Sequence, residues 1–372
     1  MKKISYFFLD GRKERINSGE NFPEEMFYGY NYISQNFPNV HIIEAKKNFL
    51  RSNIQKYFED KLSYLLELPI FFSYFLSFKN IYHFLTSSHV VLTNHRVATS
   101  TLPLIFVSKI FLRKPKISIF VMGIFKKTPK TIFRNKIKLF LINYLFKNSD
   151  DIYFLGKEEL DYAKSSFNKY ENKLFYYPFS VDLKFWKSKT NKKKSQILFV
   201  GSDGNRDFEF LYKLVSEMQG TEFVILSDQV DFTKFNFPNC KIIKGSFANQ
   251  GISDIDLRLL YSESWFTILP LKDSIQPSGQ SVTLQSIACG TPVLITRTQG
   301  FWDNDNFKDK EHIYFLENNN IKLWIETIES LPNFKDHAYK KVQNSSKLLI
   351  KKNYDLDIFH RNFHSNLEND KI

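Results

Sequence analysis

Cysteine is scarce: Cys240 and Cys289 are the only two in 372 residues. Two distant cysteines exclude a disulfide framework and any cysteine-rich metal module, and make a reducing cytoplasm the default setting. Acidic residues are missing from one long stretch. Between Leu68 and Ser149 there are 13 Lys and Arg and no Asp or Glu. No run of 18 apolar residues free of charge occurs, so no transmembrane helix is expected; the most apolar segment, Leu68–Phe78, is shorter and reads as a core helix. The apolar run Ile4–Leu9 has no small-residue cleavage site after it and reads as a buried strand, not a signal peptide. The lack of GxxxxGK[ST], HExxH and CxxC removes P-loop, zincin and zinc-ribbon chemistry. Asp-x-Asp triplets stand at 254–256, 303–305 and 355–357, but none sits convincingly after a strand end, so no essential metal and no cofactor are expected.

What the chain does have is positive charge, and it is unevenly placed. Residues 1–190 carry 30 basic and 16 acidic residues, a net of +14, whereas 191–372 carry 22 and 23, a net of −1. One half is therefore a cation, and nucleic acid, an anionic membrane surface or an anionic substrate are its candidate partners. The length suits two domains, each large enough to bury a core.

Strand-like runs alternate with helical stretches through both halves. In the first they are Ile4–Leu9, Val40–Glu44, His89–Thr93, Lys116–Met122, Asp151–Leu155 and Leu174–Pro178. Helical patterns fall at 23–35, 53–85, 99–112, 131–147 and 157–167 between them. Residues 183–196, polar and Lys-rich, read as a linker. The alternation restarts with Gln196–Val200, Glu222–Leu226, Cys240–Ile243, Trp265–Leu269 and Pro292–Ile295, closed by helices near 321–331 and 335–350. Alternation of this kind implies parallel βαβ units. The expected organisation is a first domain over 1–182, a second over 197–352, and a C-terminal helix at 353–372 returning to the first domain, with ligands in a cleft between the two.

The most informative segment is 270–300. Ser278-Gly279-Gln280-Ser281 would open a helix ending at Cys289-Gly290, and a helix N-terminus with hydroxyls from Ser278, Ser281 and Thr283 makes an anion site. Ordinary capping is the plainer reading of the same turn. Gln285-Ser286-Ile287-Ala288-Cys289-Gly290-Thr291-Pro292-Val293 resembles the donor-binding segment of GT-B glycosyltransferases, of the retaining family 4-like branch (glycosyl transferases group 1), in a Ser-Gly-Gln variant. Pro277 and Gln285 stand where that family has two glutamates. Gly201 and the following Ser202–Asp207 resemble its pyrophosphate loop, with Ser202 in place of the usual Arg and Arg206 within one residue of the usual Lys. Ile243–Phe247, with Gly245, resembles the loop around the nucleobase.

The resemblance implies two Rossmann-like domains facing a cleft, and transfer of a sugar from a nucleoside-diphosphate-sugar to a hydroxyl acceptor, retaining and metal-independent. Donor contacts are expected from Gly201, Ser202, Arg206, Gly245, Ser278, Gly279, Gln280, Ser281, Val282, Thr283 and Gln285, and from Ser18 and Gly19 in a Gly-rich loop after the first strand. Arg206 is expected to stabilise the leaving group. The family's histidine position is Met122 here; His95, at the end of the preceding strand, is the candidate for that side of the reaction, against a purely structural role. Basic Lys126, Lys127, Lys130, Arg134 and Lys138, on a loop and an amphipathic helix, read as an acceptor or membrane patch. Glycan or lipid-linked acceptors in cell-surface polysaccharide, lipopolysaccharide or glycolipid synthesis fit a cytoplasmic protein peripheral on an anionic membrane; no nucleic-acid module is present. The alternative is a degenerate GT-B protein that binds nucleotide-sugar or glycan without catalysis. An epimerase is disfavoured because no acid/base set is visible.

Overall fold

A computed structural model describes residues 2–45, 53–188, 190, 196–231, 233–245 and 251–368. The chain divides into two compact units. The first comprises Met1–Glu20, Phe27–Pro178 and Ile275–Pro277, and the second Asn21–Met26, Phe179–Ser274 and Ser278–Ile372.

Six strands build the first unit: β1 Ile4–Phe8, β2 Val40–Glu44, β3 His89–Leu92, β4 Lys116–Val121, β5 Asp151–Phe154 and β6 Leu174–Tyr176. They pair in parallel in the order β2-β1-β3-β4-β5-β6. Strands such as Ile4–Phe8 are apolar at nearly every position because helices cover both faces of a parallel sheet, and all five of its residues are buried. Chain order reverses between β1 and β3, which puts the open ends of those strands at a switch point.

The second unit repeats the principle with β7 Gln196–Val200, β8 Glu222–Leu226, β9 Cys240–Ile243, β10 Ser264–Leu269, β11 Val293–Thr296 and β12 Tyr314–Leu316. These too are all parallel, ordered β12-β11-β10-β7-β8-β9. Counted from its own first strand this is the arrangement of dinucleotide-binding folds, and its switch point lies between β7 and β10. Both expected doubly wound domains are therefore present.

The differences from expectation have local causes. Strand β12 is only three residues long, too short to show a period, and is fixed by its pairing with β11. The expected helix at 23–35 is reduced to Tyr30–Asn36, because Tyr28 and Gly29 adopt left-handed φ values of 48° and 79°. The stretch 99–112 is split into His95–Ser100 and Leu102–Ile110, the second opened by Pro103 in its first turn. The presumed Gly-rich loop after β1 contains a helix, Arg12–Ser18, framed by left-handed Gly11 and Gly19. Of the expected linker, residues 189 and 191–195 lie outside the described residues, whereas Phe185 and Trp186 are buried. The C-terminal helix Leu356–Glu368 begins where Val181 exchanges backbone hydrogen bonds with Tyr354 and Leu356.

Candidate functional site

At the switch point of the second sheet, β7 runs into Gly201, whose φ is 150°. Any side chain there would overlap the guanidinium of Arg206, which lies across the glycine backbone. The 203–207 turn is stitched to the segment after β10: Arg206 and Leu271 form an antiparallel bridge, Asp207 N–H donates to Pro270, and Lys272 N–H to Asn205. Asp207 also caps the helix Phe208–Glu217 and accepts from Asn319 at 2.8 Å. The turn is thus held from three sides, so Arg206 is fixed before any ligand arrives.

Arg206 is 3% exposed. Its Nη1 lies 3.2 Å from Asp203 Oδ2, but the angle makes no hydrogen bond, and neither Nε nor Nη1 has a hydrogen-bond partner. Burial lowers its pKa, with Asp203 pulling the other way, yet a guanidinium stays charged. A buried cation with N–H groups unpaired is costly unless an anion completes it.

Across the same strand ends, Gly279 opens the helix Gln280–Ala288 at φ 79°, with no side chain capping it. Its α-carbon fits closely against β10 and β11: a methyl there would stand 3.2 Å from Leu269 Cδ1 and 3.3 Å from Ile295 Cδ1. The helix is embedded, with Val282, Thr283 and Gln285 buried and Ser281 partly exposed. Thr283 Oγ1 is buried without a partner. Ser278 Oγ accepts from the buried Asn205 amide at 2.5 Å, joining this loop to the Arg206 turn. Pro277, buried, packs on Gly156. Ser202 Oγ accepts from Asp228 N–H at 3.0 Å and lies 3.4 Å from both Ser227 Oγ and the Gly245 carbonyl. Ser246 and Phe247 lie outside the described residues. These contacts tie Gly201, Ser202, Arg206, Gly245 and Ser278 together at the strand ends, and Gln280, Ser281, Val282, Thr283 and Gln285 follow along the helix that Gly279 opens.

Gln285 is less available than its sequence position suggested. Its Oε1 accepts from Tyr261 Oη at 3.2 Å and its Nε2 donates to Glu25 Oε1 at 2.9 Å. Glu25 also accepts from Trp186 Nε1 at 2.6 Å and from the Asp182 amide. Burial raises the Glu25 pKa from 4.5 to about 7, opposed by those hydrogen bonds. Glu25, Tyr261, Trp186 and Asn205 are the participants that sequence reading missed. The only hint was the carboxamide at Gln285 where the resemblance leads one to expect a carboxylate.

In the first unit the expected residues do not converge. Ser18 and Gly19 are exposed at the end of the Arg12–Ser18 helix, where Ser18 Oγ bonds back to Arg15 and Gly19 forms the C-cap. The other end of that helix is occupied by Glu44, whose Oε1 accepts from Lys13 N–H at 2.9 Å and from Arg12 N–H. His95 begins its own short helix, partly exposed, with Nδ1 buried and unpaired. Burial, then Arg96, Lys138 and Lys126, lowers its pKa to about 3, so the imidazole is neutral. Lys127 and Lys130 are exposed, and Lys126 and Arg134 partly so. Lys138 does not belong to that patch. It is 2% exposed, bonded to the Glu67 and Lys127 carbonyls, and lowered to about 8 by burial. Met122 precedes Gly123, whose N–H donates to buried Glu159.

No protein-family model matches the chain, and no curated protein sequence matches it. Solved structures do. An α,α-trehalose 6-phosphate synthase from Burkholderia multivorans is similar with a TM-score of 0.65 at 9% identity, over 99% of this chain and 98% of that one. A glycosyltransferase from Rickettsia africae gives 0.62 at 13%, over 99% and 97%. HepE of Anabaena, solved in complex with UDP-glucose, gives 0.60 at 8%, over 98% and 99%. The likeness is one of fold, and it bears out the GT-B class. Among the described residues, no helix is long and apolar enough to cross a membrane.

Proposed function

We propose that the protein is a glycosyltransferase that takes a sugar from a nucleoside-diphosphate-sugar and passes it to a hydroxyl acceptor. The observation that carries this is Arg206: a buried guanidinium with two nitrogens that make no hydrogen bond and only the half-exposed Asp203 beside it, at the switch point that also holds the uncapped Gly279 helix terminus. Both features ask for an anion, and a diphosphate is the anion of the right kind. The UDP-glucose bound by HepE supports a nucleotide-sugar.

On this reading the diphosphate is met by Arg206 and by the N–H groups and Thr283 hydroxyl of the 280–288 helix. The acceptor oxygen forms its bond to the anomeric carbon as the bond from that carbon to the phosphate oxygen breaks. The electron pair leaves with the nucleoside diphosphate, and Arg206 stabilises the charge growing there. In the retaining branch that the sequence resembles, the acceptor proton passes to the departing phosphate. No general base is required of the protein, and the neutral His95 need not act as one. The cationic first unit suits an acceptor in a cell-surface glycan or glycolipid. A second reading, binding without transfer, draws on Gln285, whose carboxamide is engaged by Tyr261 and Glu25.

The test is a panel of nucleotide-sugars scored by thermal shift, followed by release of free nucleoside diphosphate with acceptor glycans. Selective stabilisation plus release, both lost in Arg206→Ala, supports transfer. Stabilisation with no release under any acceptor supports binding alone, and no stabilisation by any member overturns both.

A further inference from the structure

Fourteen of the twenty exposed large hydrophobic side chains among the described residues fall between Ile54 and Phe140, all in the first unit. The helices that carry most of them share one layer. Asn53–Leu66 packs beside Ile132–Lys147, Phe78–Thr86 beside Leu102–Ile110, and His95–Ser100 touches both 132–147 and 102–110. Their inward side chains, among them Leu66, Phe84, Ile105 and Leu145, enter a single core against the sheet. Packing therefore accounts for one apolar stripe on each helix.

The exposed residues form a second stripe that packing does not use. Ile54 with Phe58, Phe78 with Tyr82, and Phe106 with Ile110 each stand four residues apart, one turn along the same face. Two helix ends extend the surface. Phe111 and Leu112 form a tip, Leu112 at a left-handed φ of 51°, immediately before Arg113 and Lys114. Ile132 and Phe133 follow Lys130. Exposure reaches 94% at Phe78, 84% at Leu112 and 81% at Ile54. Lysines are interspersed on the same elements: Lys56, Lys61, Lys79, Lys109 and Lys136 are all exposed. Asp60 is exposed beside Lys61 and Glu67 pairs with Lys127, but from Leu68 to Ser149 the chain has no acidic residue at all, so Lys79, Lys109 and Lys136 have none nearby in sequence.

An apolar surface of this extent marks an interaction site. Its composition selects the occupant. Protein interfaces are depleted in lysine at their centres, and aliphatic tips such as Leu112 and Ile132 offer nothing for a base to stack on. A bilayer accepts both kinds of side chain: aromatic and aliphatic groups enter the acyl boundary while lysines reach the anionic headgroups. We propose that the outer helical layer of the first unit, with the 111–114 stretch and the start of the 132–147 helix, docks on an anionic lipid bilayer. The assignment does not depend on the chemistry proposed for the second unit.

Flotation of the full chain with vesicles tests it. Binding is expected to phosphatidylglycerol-rich vesicles and not to pure phosphatidylcholine, and it should weaken with salt. Leu112→Ser with Ile132→Ser should cut partitioning by about tenfold or more. Lys109→Gln and Lys114→Gln should each cost about fivefold. Leu348→Ser, which removes an exposed leucine of the second unit, should change nothing. The variants' melting temperatures report whether they fold, and nucleotide-induced shifts in solution report the transferase reading separately. Equal binding to both vesicle types, no binding to either, or indifference to the Leu112 and Ile132 substitutions overturns the proposal. So does a lipid-free dimer that those substitutions dissolve, since the surface would then belong to a second copy.

Discussion

The carboxamide of Gln285 donates to the buried carboxylate of Glu25 at 2.9 Å, joining residues 260 positions apart in the chain. Trp186 Nε1 donates to the same carboxylate oxygen, and Tyr261 closes the far side of the amide. The negative group that the resemblance leads one to expect at position 285 is thus present next door, supplied from another part of the chain. A buried carboxyl held by neutral donors is uneasy as an anion, because hydrogen bonds offset only part of its desolvation.

That unease has a pH signature. With the Glu25 pKa raised from 4.5 to about 7, the native state keeps a proton that the unfolded chain releases between those values. Stability from this group is fully present below about 4.5 and is lost as pH rises through 7, with about 3 kcal/mol as the ceiling. Glu159 in the first unit, raised likewise to about 7 by burial, slopes the same way, so the comparison must be between variants. Thermal melts from pH 5 to 8 should show a flatter dependence for Glu25→Gln than for the parent chain. Identical slopes would remove Glu25 from the account.

Gln285→Glu places a second carboxyl against the first. Two adjacent buried carboxylates cannot both ionise cheaply, so the pair should titrate as a unit with one proton retained. The melting temperature of Gln285→Glu is expected to drop steeply above pH 7 and to recover in acid. Adding Glu25→Gln restores one acid and one amide in exchanged places and should recover most of the loss. A double-mutant cycle measures that coupling, and additive losses would count against a direct pair.

How much of this was legible beforehand follows from what each feature depends on. Strands such as Ile4–Phe8 and Glu222–Leu226 are local apolar runs, and their alternation with helices gave the two doubly wound sheets. The Gly201 and Gly279 turns were legible because the need for glycine is itself local. Glu25 was not, since its role arises from contacts with Gln285 and Trp186 that no periodicity encodes. Lys138 was misplaced for a related reason: charge alone reads as surface, whereas here two backbone carbonyls accept the ammonium inside the unit. Ser18 and Gly19 read as part of a loop, whereas they end a short helix whose N-terminus takes Glu44 from the neighbouring strand, a contact no local pattern encodes.

Glu159 gives a stability prediction in the first unit. Its Oε2 accepts from Gly123 N–H at 2.8 Å and its Oε1 from Phe125 N–H at 3.2 Å, fixing the loop after β4. A carboxamide can accept through only one oxygen, so Glu159→Gln leaves one buried donor unmatched and should cost about 1–3 kcal/mol at neutral pH. Hydrogen exchange at Gly123 and Phe125 should quicken in that variant. Unchanged exchange there would mean that the loop is held by other contacts.

Arg206 makes the sharpest separation between stability and function. Its guanidinium is buried against Gly201 with Nε and Nη1 making no hydrogen bond, so the protein bears a desolvation cost that the ion pair with Asp203 relieves only in part. Removing one partner of a buried ion pair is costly when the other charge stays buried, but Asp203 is 43% exposed and is left to water when Arg206 goes. Arg206→Met should therefore melt at the same or a higher temperature without ligand, while losing the nucleotide-induced shift. Gly201→Ala should fail differently. Its new methyl group collides with the guanidinium at a backbone φ that favours glycine, so both stability and ligand response should fall. Calorimetry with nucleoside diphosphate separates the two cases: at least about tenfold weaker binding is expected in Arg206→Met, the scale of one lost charge-assisted hydrogen bond. If that variant instead binds nucleotide as the parent does and melts several degrees lower, Arg206 is a structural cation, and the anion site has to be sought elsewhere on the sheet.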